Sequence, residues 1–532
     1  MKNKFRLLLI LSLGLGVLLT SSAGFSAALA NPLKYKIQQE LAPPVKWAQH
    51  NLKLNNIGVG VESVQKILFV PLGNGFNTPT NYDMTFTYKP IDPDYQFTIK
   101  GTVINNGSRF RFKGISYGSM IPLQRSLNGV VETYTLLFTN LPVLQLNAAK
   151  IIDEPKSPGT FRLMSGQFKQ DTGILRMGIE FRGMGTQKYA KKSLGVQMVK
   201  ATARTKSLNV KLLDLNNDSD WILDAVYVDT TFFRNVVSQD IFRAIHPGAY
   251  SDKQGVAHGQ AALKGHLIEV IKNGSYDGVY SLNEKPSRKM YELQKINVPV
   301  DAKGLPQWHK VDFTKPENGS VLYKSGVFKK VFFDAISVKT NFEQVYPKLK
   351  DAERWLPLMR LANFVAKADD QKFATDIAKW IDIDSVVDWW SLVLASHAED
   401  NIRHNFMLAK SGSGKFYLLP WDHEGSFGVK WFAFKPDSNN LIKRLLKLPA
   451  FNAKLKARWE ILRATELSQK KMVARFTAYI NESNKGGARG RNVAHWPQHP
   501  TDAYMGTATY INRYLASWLP EADKFIQALP EK

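Results

Sequence analysis

Asp400 is followed five positions later by Asn405, and a second acid, Asp422, closes the apolar run FYLLPW. A turn-forming SGSGK lies between them, so a strand, a turn and a second strand separate the two acids and can return one to the other. This order supplies the parts of a phosphoryl-transfer site. One carboxylate accepts a hydroxyl proton, and an amide and a second carboxylate hold divalent cations that bridge polyphosphate oxygens. Asp400 is the candidate catalytic base, and Asn405 and Asp422 are the candidate metal ligands. Glu424, two positions further on, is a candidate auxiliary ligand. The plainer readings are a surface acid beside a helix end for Asp400, a turn amide for Asn405 and a loop or cap carboxylate for Asp422. Two bare carboxylates side by side repel, so a shared role requires a cation. His423, between the last two acids, reads as a packing or solvent-facing residue.

The stretch NFMLAKSGSGKFYLLPWDHEGSFG resembles the core signature of the CotH kinase family, an Asn-aromatic strand, a turn and a W-D-x-D motif. Other segments agree in order: LPVLQL at 141–146, EFRGMGTQKYAKKSL at 180–194, WILDAVYVDTTFFRNVVSQDIFRAI at 221–245 and IKNGSYDGVYSLNEK at 271–285. The resemblance covers roughly 136–526. It implies an atypical, exported protein kinase that uses ATP with Mg or Mn. In protein kinases the catalytic-loop Asp and Asn have the same spacing, and a strand lysine meets the nucleotide phosphates. By this resemblance Lys191 or Lys192 is the phosphate lysine, and Asp240, mid-helix, is its acidic partner. Arg182, Arg234 and Glu284 also fall on family positions and are candidates for nucleotide or phosphate contact, with structural ion pairs as the rival reading. Glu424 departs from the family's usual Asp, and its longer side chain puts an auxiliary-ligand role in doubt. There is no Walker A motif, and Gly183 and Gly185 alone do not make a phosphate loop.

The elements that must position these residues read as α+β: an atypical protein-kinase-like domain, an N-terminal β-sandwich-like domain and a helical C-terminal region. Residues 1–30 read as a signal peptide, with Lys2, Lys4 and Arg6 ahead of an apolar 7–19 and Ala28-Leu29-Ala30 as the cleavage site, an uncleaved anchor being the alternative. Residues 31–135 alternate with period 2 in YDMTFTYKP and YQFTIKGTV, and Asn106-Gly107 is a hairpin turn before RFRFK, which predicts a small antiparallel sandwich. Phe86, Tyr88, Tyr95 and Phe97 are expected in its core. Residues 136–430 are expected to hold the kinase-like core, with strands at 174–182 and 194–199 and a helix starting near Thr230, capped by Thr230 or Thr231. Hairpin strands are expected around Asn273-Gly274. Residues 431–532 read as helical, interrupted by GGARGRN at 486–492 as a loop.

The chain has no Cys, which excludes a disulfide framework and a lipoprotein anchor. A signal segment without Cys points to export to a bacterial periplasm or cell exterior. The net charge is +25 over 532 residues, and about +22 once the three cations of the signal segment are removed. That surplus predicts attraction to an acidic polysaccharide, an anionic membrane surface or an acidic protein substrate, but no nucleic-acid motif is present. The densest run is Lys443, Arg444, Lys447, Lys454, Lys456, Arg458, Lys470 and Lys471, with a solvated helix face as the plainer reading. The leading function is phosphate transfer from ATP to a Ser, Thr or Tyr hydroxyl of a secreted or envelope protein, with a saccharide hydroxyl as a variant. A non-catalytic envelope scaffold and a polysaccharide-binding protein are the rivals.

Overall fold

The computed structural model describes residues 51–531 apart from 90–93, 184, 201–202, 247–259, 325, 331–333, 349–352, 430–432 and 498–502. The expected signal segment therefore lies outside the described residues. The protein is a mixed α+β molecule. Its first part holds two sheets, one of six strands and one of four. Their facing side chains, among them Leu68, Phe86, Phe97, Phe112, Leu136 and Phe138, form one apolar cluster, and Tyr95 lies in it with Tyr88 packed against it. The expected all-antiparallel pattern needs one correction, because Ile67–Pro71 pairs in parallel with Val130–Thr139. The expected boundary at 135/136 also falls inside Val130–Thr139, so this part closes a few residues later. It shares side-chain packing with the neighbouring sheet. Phe69 and Leu137 lie in one cluster with Val143, Met164 and Ile271 of that sheet.

The neighbouring sheet closes on itself. Seven strands pair in a ring: Val143–Asn147, Gly265–Lys272, Ser275–Glu284, Asp220–Asp224, Leu194–Lys200, Leu175–Phe181 and Ser157–Ser165, with Ser157–Ser165 pairing back onto Val143–Asn147. Alternate residues point inward, and Leu146, Phe161, Ile179, Val196, Trp221 and Leu282 fill the interior, as side chains do in small barrels. The other parity faces outward. There Glu180, Gly195, Ile222 and Asn283 follow one another across four neighbouring strands. This outer face is mixed: Ile222, Leu267 and Val279 pack into the helical part's core, while Glu180, Asn283 and Asp224, which ends its strand, are polar.

The remaining part is built on the helix Ile383–Ser396, buried along most of its length with Trp389, Trp390, Leu392 and Val393 in the core. A helix apolar on all sides must be surrounded. Asp382 caps it by accepting from the Ser385 N–H. Helices Arg234–Ile245, Pro449–Ala464, Gln469–Lys485 and Ala508–Gln527 contribute to the same apolar core. A four-stranded sheet, Glu343–Tyr346, Val321–Lys324, Phe406–Lys410 and Phe416–Pro420, lies on it. Residues 486–492 are not a loop. Helix Ala488–His495 begins there, after Gly487 in a left-handed conformation. No helix among the described residues is long and apolar enough to cross a membrane.

Candidate active site

The hairpin Phe406–Lys410 and Phe416–Pro420 is antiparallel, with Phe406 opposite Pro420. Its open end therefore brings Asn405 next to the 421–422 segment. Asn405 and Asp422 both take left-handed backbone conformations, φ 56° and 53°. Asn and Asp tolerate this better than other side chains, and such positions collect at functional sites. Asp400 sits on the single helical turn Glu399–Arg403 and accepts a 2.7 Å hydrogen bond from Asn405 Nδ2. Asn401 straps the two segments together, its Nδ2 donating to the carbonyls of Asn405 and Trp421, both at 2.8 Å. Burial raises the Asp400 carboxyl above its ordinary value, while His404 and Arg403 pull it back. A carboxylate moved toward neutrality is a better proton acceptor.

A second acidic group comes from the barrel. Asp224 accepts from Ser193 Oγ at 3.1 Å and from the Val226 N–H at 3.2 Å. Its charge lies beside Glu424. Burial first, and then the neighbouring Asp224, push Asp422 up to about 6, against the pull of Arg182 and Lys324. Burial together with Asp224 and Asp422 drives Glu424 well above its ordinary value. The site thus gathers more negative charge than it neutralises. Asp224 carries no motif signal that would have marked it. It is brought in by strand register, through Ser193 at the start of the neighbouring strand.

Two cations face this group across one ring. The Arg182 guanidinium lies 5.9 Å from the Trp421 ring centroid, and Lys324 Nζ lies 5.5 Å from it. Lys324 ends the strand Val321–Lys324, in a segment whose sequence gives no functional signal.

The other expected contacts are placed elsewhere. Lys191 is 2% exposed, donating to the Val279 carbonyl and, at 2.9 Å, to Asn492 Oδ1. Lys192 donates to the carbonyls of Gln187 and Tyr189. Asp240 does not pair with either lysine; it binds Arg243 and the Tyr479 hydroxyl. Glu284 falls on the opposite strand parity from Asn283 and accepts from the N–H groups of Asn216 and Lys264 and from Gln260, so it is a structural acid. Arg234 is fully buried. It pairs with Asp229 and donates to the carbonyls of Ser426 and Met505, fixing the turn after Glu424 without facing it. The helix starting at Arg234 has Phe233 at its N-cap and no side-chain cap there, so neither Thr230 nor Thr231 caps it; Asp229 accepts from the N–H groups of Thr231 and Arg234, and Thr231 Oγ1 from the Phe233 N–H. His423 is fully buried, not solvent-facing.

The donors fit a hard divalent cation in kind: they are carboxylate and amide oxygens whose crowding a positive charge would relieve. Among the described residues no three His, Cys, Asp or Glu side chains are gathered as a ready-made metal cage. Mg is held by one or two carboxylates and completes its shell with water and substrate phosphates. Asp422, with Asn405 and Glu424 beside it, would hold it.

Residues 179–517 match the family model described as CotH kinase protein. The match spans more than half of the chain, and the chain belongs to that family. No curated protein matches it. Family membership points to a kinase-like activity.

Proposed function

We propose that this protein is an exported ATP-dependent kinase that phosphorylates a Ser, Thr or Tyr hydroxyl of a secreted or envelope protein. The observation that carries this reading is the convergence of Asp400, Asn405 and Asp422 at one end of a hairpin, beside Asp224 and Glu424 of a second acidic group. Asp400 takes the proton of the acceptor hydroxyl. The hydroxyl oxygen forms its bond to the γ-phosphorus as the bond to the β–γ bridging oxygen breaks, and ADP leaves. Asn405 holds Asp400 in place through its 2.7 Å hydrogen bond. A bound Mg or Mn would neutralise phosphate charge. In this reading the polar residues of the barrel's outer face beside Asp224 line the nucleotide site opposite the hairpin.

Export is argued from the basic, apolar and small-residue pattern of residues 1–30. An acidic polysaccharide or anionic membrane remains a proposed partner on net charge. In the C-terminal basic run, Lys454, Lys456, Arg458 and Lys471 pair with Asp384, Glu531, Asp388 and Glu466, mostly as exposed and therefore weak bridges. The test of the main reading is the purified chain with labelled ATP and Mn. Label transferred to itself or to a model substrate, and lost in Asp400→Asn, supports it. A protein that neither binds nucleotide nor transfers label would be a scaffold.

A further inference from the structure

Asp422 and Glu424 follow the open end of the hairpin, where Asn405 also holds Asp400, and the site gathers several acids. Such a group repels a polyphosphate, so fixed cations must face it. The lysines expected to do this are engaged: Lys191 Nζ and Lys192 Nζ both donate to backbone carbonyls. The two cations beside Trp421, the neighbour of Asp422, are Arg182 and Lys324, 5.9 Å and 5.5 Å from its ring centroid. They come from different sheets. Arg182 follows the barrel strand Leu175–Phe181, and Lys324 ends a strand of the four-stranded sheet. Lys324 stands opposite Met407, and Met407 opposite Leu419, two residues before Trp421, so Lys324 and the Trp421 ring share one side of that sheet. The Arg182 guanidinium has no ion pair among the described residues. Among the described residues, the ion pair of Lys324 is a 3.2 Å bridge to Glu343, a mostly exposed carboxylate. Exposed bridges are weak, so the ammonium can exchange that partner for a phosphate at little cost.

We propose that Lys324 is the phosphate lysine of this site, gripping the γ-phosphate together with Arg182 across Trp421. The inference rests on the kinase reading above. Because one cation belongs to the barrel and the other to the hairpin sheet, a bound triphosphate joins the two sheets at the point where Asp400 must meet the acceptor hydroxyl. A diphosphate lacks the group that Lys324 holds.

The test uses the full chain with Lys324→Met and Lys324→Arg. Calorimetry compares a non-hydrolysable ATP analogue with ADP, each with Mg, and phosphotransfer is measured in parallel. Lys324→Met should weaken the triphosphate analogue about 10- to 100-fold, the loss of one charge-assisted contact, and leave ADP within about twofold. Lys324→Arg should recover most of the difference. Equal weakening of both nucleotides with a lowered melting temperature would mean a structural lysine and overturn the proposal. Unchanged affinity for both would overturn it as well, and would leave the kinase reading standing. A wild-type chain that binds neither nucleotide would sink both.

Discussion

Replacing Lys191 by Met should change the pH dependence of stability and leave phosphotransfer nearly intact. The ammonium site is closed: 2% exposed, with Nζ 2.9 Å from Asn492 Oδ1 and 4.3 Å from the Tyr280 ring centroid. Burial lowers its pKa from the ordinary 10.5 to about 7, although Asp277 and Asp224 favour the charge. The sign follows from proton counting. Between pH about 7 and 10.5 the unfolded chain keeps this proton and the folded chain has shed it, so stability rises with pH across that window. The full difference is about 5 kcal/mol, or about 1.4 kcal/mol for each pH unit inside the window. Methionine has no proton to lose. Urea unfolding of both chains from pH 7.5 to 9.5 should therefore show the wild type gaining about 3 kcal/mol relative to Lys191→Met, while other titrating groups cancel in the comparison. Nucleotide affinity should agree within a few-fold. Parallel stability curves would mean that Lys191 keeps its proton in the fold. A hundredfold loss of phosphotransfer at unchanged stability would mean that Lys191 turns outward and meets phosphate, and the structural assignment would fail.

Asp400→Asn should slow phosphotransfer by about 10²–10⁴ with nucleotide affinity unchanged, since it removes the proton acceptor and keeps the shape; single-turnover labelling measures it, and wild-type rates would remove Asp400 from the chemistry. Asp422→Asn should weaken Mn-dependent nucleotide binding by at least about tenfold in calorimetry, because a hard cation loses a charged oxygen. The same change relieves repulsion with Asp224 and Glu424, so the melting temperature without metal should hold or rise; a fall would mean that Asp422 holds the fold. Arg491→Ala should cost about 3–5 kcal/mol in urea unfolding, because it strands the fully buried Glu269 carboxylate that Arg491 holds with two 2.9 Å hydrogen bonds; a loss under about 1 kcal/mol would show that water reaches Glu269.

The residues alone reveal what short-range geometry decides. An antiparallel hairpin returns its two ends to one place, so the order Asp400, Asn405, strand, turn, strand, Asp422 implies neighbouring ends, and Phe406 does stand opposite Pro420, with Asn405 bonded to Asp400. Strand alternation separates interior from exterior in Leu194, Val196 and Met198, all of which fill the barrel. It fails where a contact depends on elements far apart in the chain. Asp224 reaches the site only because its strand pairs with Leu194–Lys200 inside a barrel closed by Ser157–Ser165 against Val143–Asn147. Lys324 reaches it only because its short strand pairs beside Phe406–Lys410. GGARGRN reads as a loop from its glycines, yet Arg491 bonds Glu269, and Asn492 Oδ1 accepts from Lys191 and the Val279 N–H. Those buried partners outweigh the weak helix propensity of glycine, worth about 1 kcal/mol. The same contacts show why the lysine signal in the sequence is ambiguous. A lysine next to a strand looks alike whether it faces a ligand or a buried carbonyl, and only Asn492, about three hundred residues away, decides which. Asp400, Asn405, Asp422 and Glu424 are therefore legible from one segment and Arg182 from a family motif, whereas Asp224 and Lys324 become assignable only once the barrel and the hairpin sheet are both in place.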